Sequence, residues 1–446
     1  MTRVHVTSFL LCLTLAGGSA TAQSLSSDGT LTLDQAVQDA LVANPSIGAA
    51  AASVDEAQAG VAAARAAWFP RVRASETWQR GNQPVFVFSS LLSSRRFAAS
   101  NFAIDQLTHP DPLGYVHTQV GIEHLVYDGG TRSASVAGAR ARVTAASAAA
   151  DEQALGIATA VAATYGRLLV VQAQQRALTG ALEAGREDLA RATRRRDSGI
   201  ATDADVLALA VHVADVEQRS LAAQGNGVVL RAELNRLTGA PISRTFTAVE
   251  PADAGVGAET LPDLVALAQR QRPDVIRAAA SIDAADSARR AARGAFLPQV
   301  AAQAAVDASG TRISERSASW IAGGEVRWSL ALGGAERAGL RAAVAGVSRA
   351  RLEADAVRAQ AEVDVVTAWQ HLQSARARQT VGRAAVDQAR ESLRIVRDRF
   401  DAGLAPVNDV LRASTALLDA ETGRVSALAD LVAARADLDR AVGRRP

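Results

Sequence analysis

Lysine is absent from this 446-residue chain, and all 48 basic residues are arginine. With 46 acidic residues the formal net charge is +2, which leaves no basic footprint for nucleic acid. Cysteine occurs once, at Cys12, and methionine once, as the initiator. Disulfides, thiolate metal sites and soft-metal relays are therefore not expected beyond the leader. The six histidines (His5, His109, His117, His124, His212, His371) are scattered without metal-ligand spacing, and there is no nucleophile elbow, phosphate loop or zincin motif. Nothing indicates an enzyme, a cofactor or a metal. Aromatics are 4% of residues, and much of the 48% hydrophobic content is alanine. Such a core is thin for a compact globule, but alanine is the best helix former and lets helices approach closely. No later stretch approaches eighteen uninterrupted apolar residues, so no transmembrane helix is expected.

The first residues read as a secretory leader over 1–22, with Arg3, an apolar run from Phe9 to Ala16, and Ala20-Thr21-Ala22 as the cleavage site. Leu11 precedes Cys12 where a lipoprotein site needs a small residue, so a lipid anchor is not expected. An exported chain without a spanning helix is either soluble or held in a membrane by a β-barrel.

The same plan occurs twice. At a shift of 228, Leu33, Val37, Ala40, Pro45 and Pro70 meet Leu261, Val265, Ala268, Pro273 and Pro298. At a shift of 204, Gly129-Gly130 meets Gly333-Gly334, and Gly199, Asp205 and Leu207 meet Gly403, Asp409 and Leu411. The change of shift leaves about 24 extra residues in the first half, around Pro84 to Pro112. The first repeat is read over 23–240, as a helix, a β-hairpin at about 71–127, a long helix at 130–198 and a return helix at 204–238. The second is read over 261–446, with a hairpin at about 299–331, a long helix at 335–400 and a return helix at 406–443. Residues 241–260 link them. At 1.5 Å per residue each long helix spans on the order of 100 Å. In the last helix Val410, Leu411, Leu417, Leu418, Val425 and Leu428 keep three- and four-residue spacing, as in a coiled coil.

The runs between helices alternate with period two. Val300, Ala302, Ala304 and Val306 alternate with Gln299, Gln303 and Asp307, and Val326 and Trp328 with Glu325 and Arg327. In the first half Val72, Ala74 and Trp78 alternate with Arg71, Arg73 and Ser75, and Val116, Val120 and Ile122 with His117, Gln119 and Glu123; Glu76 and His124 interrupt the apolar sides. Each run has the length and period of a transmembrane barrel strand. Twelve of the sixteen aromatics beyond the leader fall within 68–127 and 296–328. Trp68, Phe69, Trp78, Tyr127, Phe296, Trp320 and Trp328 are placed near strand ends, where interfacial girdles belong. An amphipathic sheet of a soluble domain is the plain alternative. Four strands cannot close a barrel, and an open edge in lipid leaves backbone groups unpaired. The chain must pool strands with its own copies; a dimer gives eight and a trimer twelve, and these physical arguments do not choose.

The doubled order of helix, hairpin and helix, the Gly-Gly after each hairpin and the ending Leu234-Asn235-Arg236-Leu237-Thr238-Gly239 resemble the TolC family of outer-membrane efflux proteins over about 31–443. The fold class is then mainly α with a transmembrane β segment. The resemblance implies a homotrimer with a twelve-stranded barrel in outer-membrane lipid and a long helical barrel in the periplasm. It also implies a periplasmic adaptor (membrane fusion protein) and an inner-membrane RND, ABC or MFS transporter. The chain would be the passive exit duct of an efflux pump or type I secretion system, and which substrate passes is not legible. The turns at 195–206 and 399–410 would form a periplasmic tip that meets the adaptor and closes the channel. Gly199 and Gly403 fit the family's turn glycine, and Asp205 and Asp409 the acidic constriction. Ala405 and Arg412 depart from the family's salt-bridge pattern; Arg194, Arg195, Arg196, Asp197, Arg399 and Asp401 are the substitutes for adaptor or gating contacts. On the plain reading these aspartates are helix caps and the arginines a solvated face. The rival function is a periplasmic coiled-coil scaffold or adaptor outside the outer membrane.

Overall fold

A computed structural model describes residues 29–199, 201–251 and 259–444, with only the backbone of Asp401. The leader read over 1–22 and residues 252–258 of the linker lie outside the described residues.

The first half opens with strand β1 (Gly29–Leu31), then α1 (Leu33–Ala43) and α2 (Pro45–Ala66), divided where Asn44 precedes Pro45. The residue before proline is pushed out of the helical region, and the ring itself is tolerated at the first helical position. Asn44 serves both helices: its backbone N–H bonds to Ala40 O and its side chain accepts from Ser46 N, while its side-chain amide also donates to Leu237 O at 2.8 Å. Strand β2 (Arg71–Gly81) leads into an excursion holding α3 (Pro84–Ser93) and α4 (Ile104–Thr108), and β3 (Leu113–Tyr127) returns. Then come α5 (Thr131–Asp197) and α6 (Asp203–Leu237). Strand β4 (Phe246–Ala248) opens the link to the second half, which repeats the order as α7 (Leu261–Gln271), α8 (Pro273–Gly294), β5 (Gln299–Arg312), β6 (Glu315–Arg327), α9 (Ala335–Asp401) and α10 (Val407–Val442).

The four long strands form one antiparallel sheet in the order β2-β3-β5-β6. Register fixes its faces. Ala74, Val120, Val306 and Trp320 form one cross-strand row, and Val72, Ile122, Ala304 and Ala322 the next. On the other face Ser75, Gln119, Asp307 and Ser319 align, as do Arg71, Glu123, Gln303 and Gly323. One face is thus apolar and the other polar. Glu76 interrupts the apolar face but is neutralised there, its carboxylate 2.8 Å from Arg316 and also bonded to Thr118. Strand β6 begins at Glu315 rather than at Trp320, because the hairpin extends to Arg312 and Glu315. Trp320 is therefore a mid-strand residue beside Val306, a correction to its expected place at a strand end.

Below the sheet the helices form two tiers. Near it, α2 packs on α5, α5 on α8, and α8 on α9. Farther away, α6 packs on α5, α5 on α10, and α10 on α9. By length and composition one helix, Thr131–Asp197, is apolar enough to cross a membrane, contrary to the expectation of none. Half of its apolar window is buried in the chain, and Val161, Tyr165, Leu168 and Leu169 belong to the largest core cluster, so the hydropathy is that of a packed core helix. That core lies at the level of the short parallel pair β1 and β4. The Tyr165 hydroxyl donates toward Leu31 O (2.7 Å) and Val249 O (2.8 Å) and accepts from Val249 N (2.9 Å). Burial pushes it up to about 12.

Tyr165→Phe is expected to cost about 0.5–1.5 kcal/mol for each bond lost: the hydroxyl's bonds to Leu31 O and Val249 disappear, while Val249 N keeps Leu31 O at 3.2 Å. The raised hydroxyl favours the protonated form in the folded state, so this contribution is whole below the ordinary tyrosine value of about 10. It is lost as pH rises from there toward about 12. Thermal unfolding at stepped alkaline pH checks both statements: the variant should melt lower at pH 8 and lose less on alkalinisation.

Candidate functional site at the helical turns

Each long helix ends in the same backbone device. At the first turn Gly199 takes φ +75°, its N–H bonds to Arg196 O, and Ala201 N bonds to Arg195 O. At the second Gly403 takes φ +76°, its N–H bonds to Phe400 O, and Leu404 N bonds to Arg399 O. A left-handed residue at this position turns the chain while satisfying the last carbonyls, and glycine adopts it without a Cβ penalty.

The return helices start differently. Thr202 and Asp205 make a reciprocal capping box: Asp205 N bonds to the Thr202 hydroxyl, and the Asp205 carboxylate accepts from Thr202 N (3.1 Å) and its hydroxyl (2.8 Å). In α10 the cap position is Pro406, whose carbonyl accepts from Asp409 N at 3.1 Å. The Asp205 carboxylate is thus committed to a cap, and Asp409, half-buried at the equivalent place, makes no such box. Arg412, Arg399 and Arg194 are exposed. Arg196 reaches Asp197 (2.6 Å) and Asp203 (3.8 Å), which hold its guanidinium above its ordinary value through the Asp197 hydrogen bond and charge. Asp401's side chain lies outside the described residues.

One predicted arginine ties the two hairpins together. The Arg195 guanidinium lies 5.3 Å from the Phe400 ring centre and donates to Phe400 O at 3.4 Å. A second tie was not legible as a site. Asp188 of α5 is buried between Arg191 (2.6 Å) on its own helix and Arg397 (3.5 Å) on α9. Its sequence signal is position: Leu178, Gly185, Asp188 and Ala192 share the buried stripe of α5, so a carboxylate stands where packing asks for an apolar residue. Between the ties a small cluster of Ala192, Leu209 and Val407, with Phe400 and Leu411 against it, fills the space. Among the described residues no three His, Cys, Asp or Glu side chains gather as a metal site.

The expected girdle residues sit at the joints between sheet and helices or on the sheet itself. Trp68 lies under Arg132, whose guanidinium is 4.4 Å from the ring centre, and Arg132 is paired with buried Asp128 at 3.1 Å. Trp328 Nε1 donates to Phe296 O at 3.2 Å. Phe69, Trp78, Tyr127, Trp320 and Trp328 present large exposed apolar surface in the single chain.

A family model described as outer membrane efflux protein matches residues 36–240 and 264–444. No curated protein matches the sequence closely enough to count as a relative. Among solved structures, the outer membrane protein VceC from Vibrio cholerae is 22% identical with a TM-score of 0.76, covering 92% of this chain and 96% of that one. The CmeC outer membrane channel of Campylobacter jejuni is 15% identical with a TM-score of 0.80, covering 92% and 85%. The MtrE outer membrane channel of Neisseria gonorrhoeae, solved in its open state, is 18% identical with a TM-score of 0.74, covering 92% and 89%. Two matched segments, one in each half and together spanning most of the chain, place it in a family: this protein belongs to the outer membrane efflux proteins.

Proposed function

We propose that the chain is one protomer of a homotrimeric exit duct in the outer membrane, which passively conducts substrates delivered by an adaptor-linked inner-membrane transporter of the RND, ABC or MFS type. The observation that carries this reading is that every layer of the single chain has open edges on the same flanks. In the sheet the end strands are β2 and β6. In the upper helical tier the end helices are α2 and α9, and in the lower tier α6 and α9. The first-half elements therefore end one flank, and the last strand and α9 end the other, so one rotation would close all three layers at once.

Two unpartnered stripes support a second copy as the occupant of these edges. On α6, Leu207, Val211, Ala214, Leu221 and Val228 are exposed and follow a heptad, while Leu209, Val216 and Ala223 of the same helix are buried. On α9, Leu352, Ala356, Ala359, Val363 and Val366 are exposed at four- and three-residue spacing, opposite the buried Val347, Ala350, Ala354 and Ala361. A helix with two apolar stripes needs packing partners on two sides, and within the chain only the buried side of each is covered. Three copies give twelve strands and a lumen wider than an eight-stranded barrel, whose interior side chains fill. The polar sheet face would line that lumen and the apolar face would meet lipid. In this setting the helical turns form the tip. Arg195 on Phe400 and Arg397 on Asp188 hold the two hairpins of one protomer together in place of the pattern from which Ala405 and Arg412 depart. Repeated by symmetry, Asp409 and Asp205 would make a negative ring favouring cations.

Two outcomes are expected. Leu221→Glu combined with Val228→Glu should abolish a heat-modifiable trimer band in the outer-membrane fraction while the purified chain keeps its helical circular dichroism; an unchanged band would overturn the assembly. Asp205→Asn combined with Asp409→Asn keeps a cap acceptor but removes the charge. It should weaken cation preference in planar-bilayer recordings, and unchanged selectivity would remove these carboxylates from the constriction.

A further inference from the structure

The 24-odd residues that the first half has in excess form a compact element laid on one particular face of the sheet. In this excursion Phe86 packs edge-on against Tyr115 at 6.0 Å between ring centres. Tyr115 belongs to the polar face, since its hydroxyl donates to Ser309 Oγ at 2.9 Å and Ser309 pairs directly with His117 and Ser317. At the other end of α3, Ser317 Oγ donates to Ser94 O at 2.9 Å, Arg95 donates to Ala318 O at 3.0 Å, and Arg96 bonds to Thr311 and lies 3.9 Å from Glu315. Helix α3 thus crosses the polar face from β3 to β6, at the end of the strands away from the long helices. Val87, Ser90 and Ser94 are buried, Ser94 against β6, whereas Val85 and Leu92 on the side of the helix away from Ser94 are exposed, as are Phe102 and Ile104 just beyond. The excursion has its own small core, with Phe97 edge-on to Phe88 (4.7 Å) and Phe102 (5.1 Å). It is a folded element rather than a slack loop.

We infer that α3 is an inward-folded lid that narrows the outer mouth of the duct with an apolar constriction made jointly by the three copies. This rests on the duct reading, in which the polar face is the lumen wall. Magnitudes decide how much room is left. Strands about 4.8 Å apart and tilted about 40° give a twelve-stranded barrel a backbone radius of about 12 Å. A helix about 10 Å across, lying across this wall, reaches most of the way to the barrel axis. Three copies of α3 docked on the wall therefore occupy the mouth, and their wall-averted Val85 and Leu92 point toward one another. An apolar ring of this kind resists wetting and slows hydrated solutes until it is displaced. Its polar anchors all come from one stretch, Ser94 to Arg96, so the lid can be unpinned without touching the strands.

A thiol on the lumen wall below the lid tests this directly. Gln303 lies on the polar face, is exposed, and pairs with Glu123 and Gly323 in mid-strand. Gln303→Cys is introduced into the full chain with Cys12 in its leader, into a variant with residues 84–111 replaced by a short Gly-Ser linker, and into Arg95→Ala/Arg96→Ala. Intact cells are treated with a membrane-impermeant maleimide-polyethylene glycol. The expected result is slow labelling of the full chain, labelling faster by an order of magnitude without the lid, and an intermediate rate for the double-alanine variant, which guards against a misfolded deletion. Equal rates in all three overturn the lid. Absence of labelling in all three also overturns it; a heat-modifiable trimer band then shows that the duct reading survives, and its loss that the duct reading fails too.

Discussion

The constraint on which the rest depends is the unpaired backbone at the two ends of the sheet. Strand β2 has β3 on one side and β6 has β5 on one side, and each leaves a row of N–H and C=O groups unspoken for. In water such an edge binds solvent; in hydrocarbon every unpaired group costs several kcal/mol. An apolar sheet face and an open sheet edge in one chain are therefore incompatible with lipid unless the edges meet each other. The helices share the difficulty in a milder form, because exposed apolar stripes on α6 and α9 cost stability only in proportion to their area. In the proposed assembly the sheet would make closure obligatory in lipid, and the helical stripes would set which flank meets which.

The two halves are alike in plan and unequal at the joint between sheet and helix. In the first, Asp128 accepts from Gly130 N, Arg132 N and Arg132 Nε, while Arg132 also reaches Val126 O and covers Trp68. The carboxylate and guanidinium are both buried and both satisfied, the condition under which a buried pair is tolerated. Gly129 completes that joint: a Cβ there would stand 2.6 Å from Gly294 O. In the second half the equivalent positions are Leu332 and Glu336. Leu332 is fully exposed, Glu336 accepts from Ala331 N, and nothing crowds Gly333. The first joint is closed within the chain and the second is apolar and open, which suits an intrachain seam at one and a seam between copies at the other.

Much of this architecture was legible because its signals are long. Period-two alternation over ten residues, glycine pairs at a fixed shift and coiled-coil spacing over thirty residues each repeat often enough to stand out from a single sequence. The parts that were not legible are short or depend on partners far along the chain. Strands β1 and β4 have three residues each, too few for any period; they pair with each other from far apart in sequence, Gly29 with Phe246, and Tyr165 of α5 bonds to the chain beside both. The excursion around Pro84 to Pro112 shows in the sequence only as about 24 extra residues; α3 is a short, mostly apolar run whose lack of clear periodicity does not assign a helix. Trp320 was displaced from strand end to mid-strand because the polar start of β6, Glu315 to Ser319, carries no apolar alternation of its own. Asp188 is not legible from its neighbours because its partner Arg397 lies 209 residues later.

The distribution of packing also bears on motion. At the level of β1 and β4 the core brings together Leu31, Val161, Tyr165, Leu168, Leu234 and Val425, from both helical hairpins. Toward the turns the clusters shrink to Ala192, Leu209 and Val407, and to Leu393, Val410 and Ala413. Stability scales with the apolar area removed from water, so the turns are the weakly held end and the middle is the anchored end. Beside these small clusters the turns are tied by Arg195 on Phe400 and Arg397 on Asp188, contacts between α5 and α9 that involve side chains and not either helix's own hydrogen-bond ladder beyond the Phe400 carbonyl. A change confined to those ties would leave the Tyr165 core and both helices' own hydrogen bonds intact. At 1.5 Å per residue the turns lie some tens of ångströms from that core, so any angular change there would be magnified at the turns.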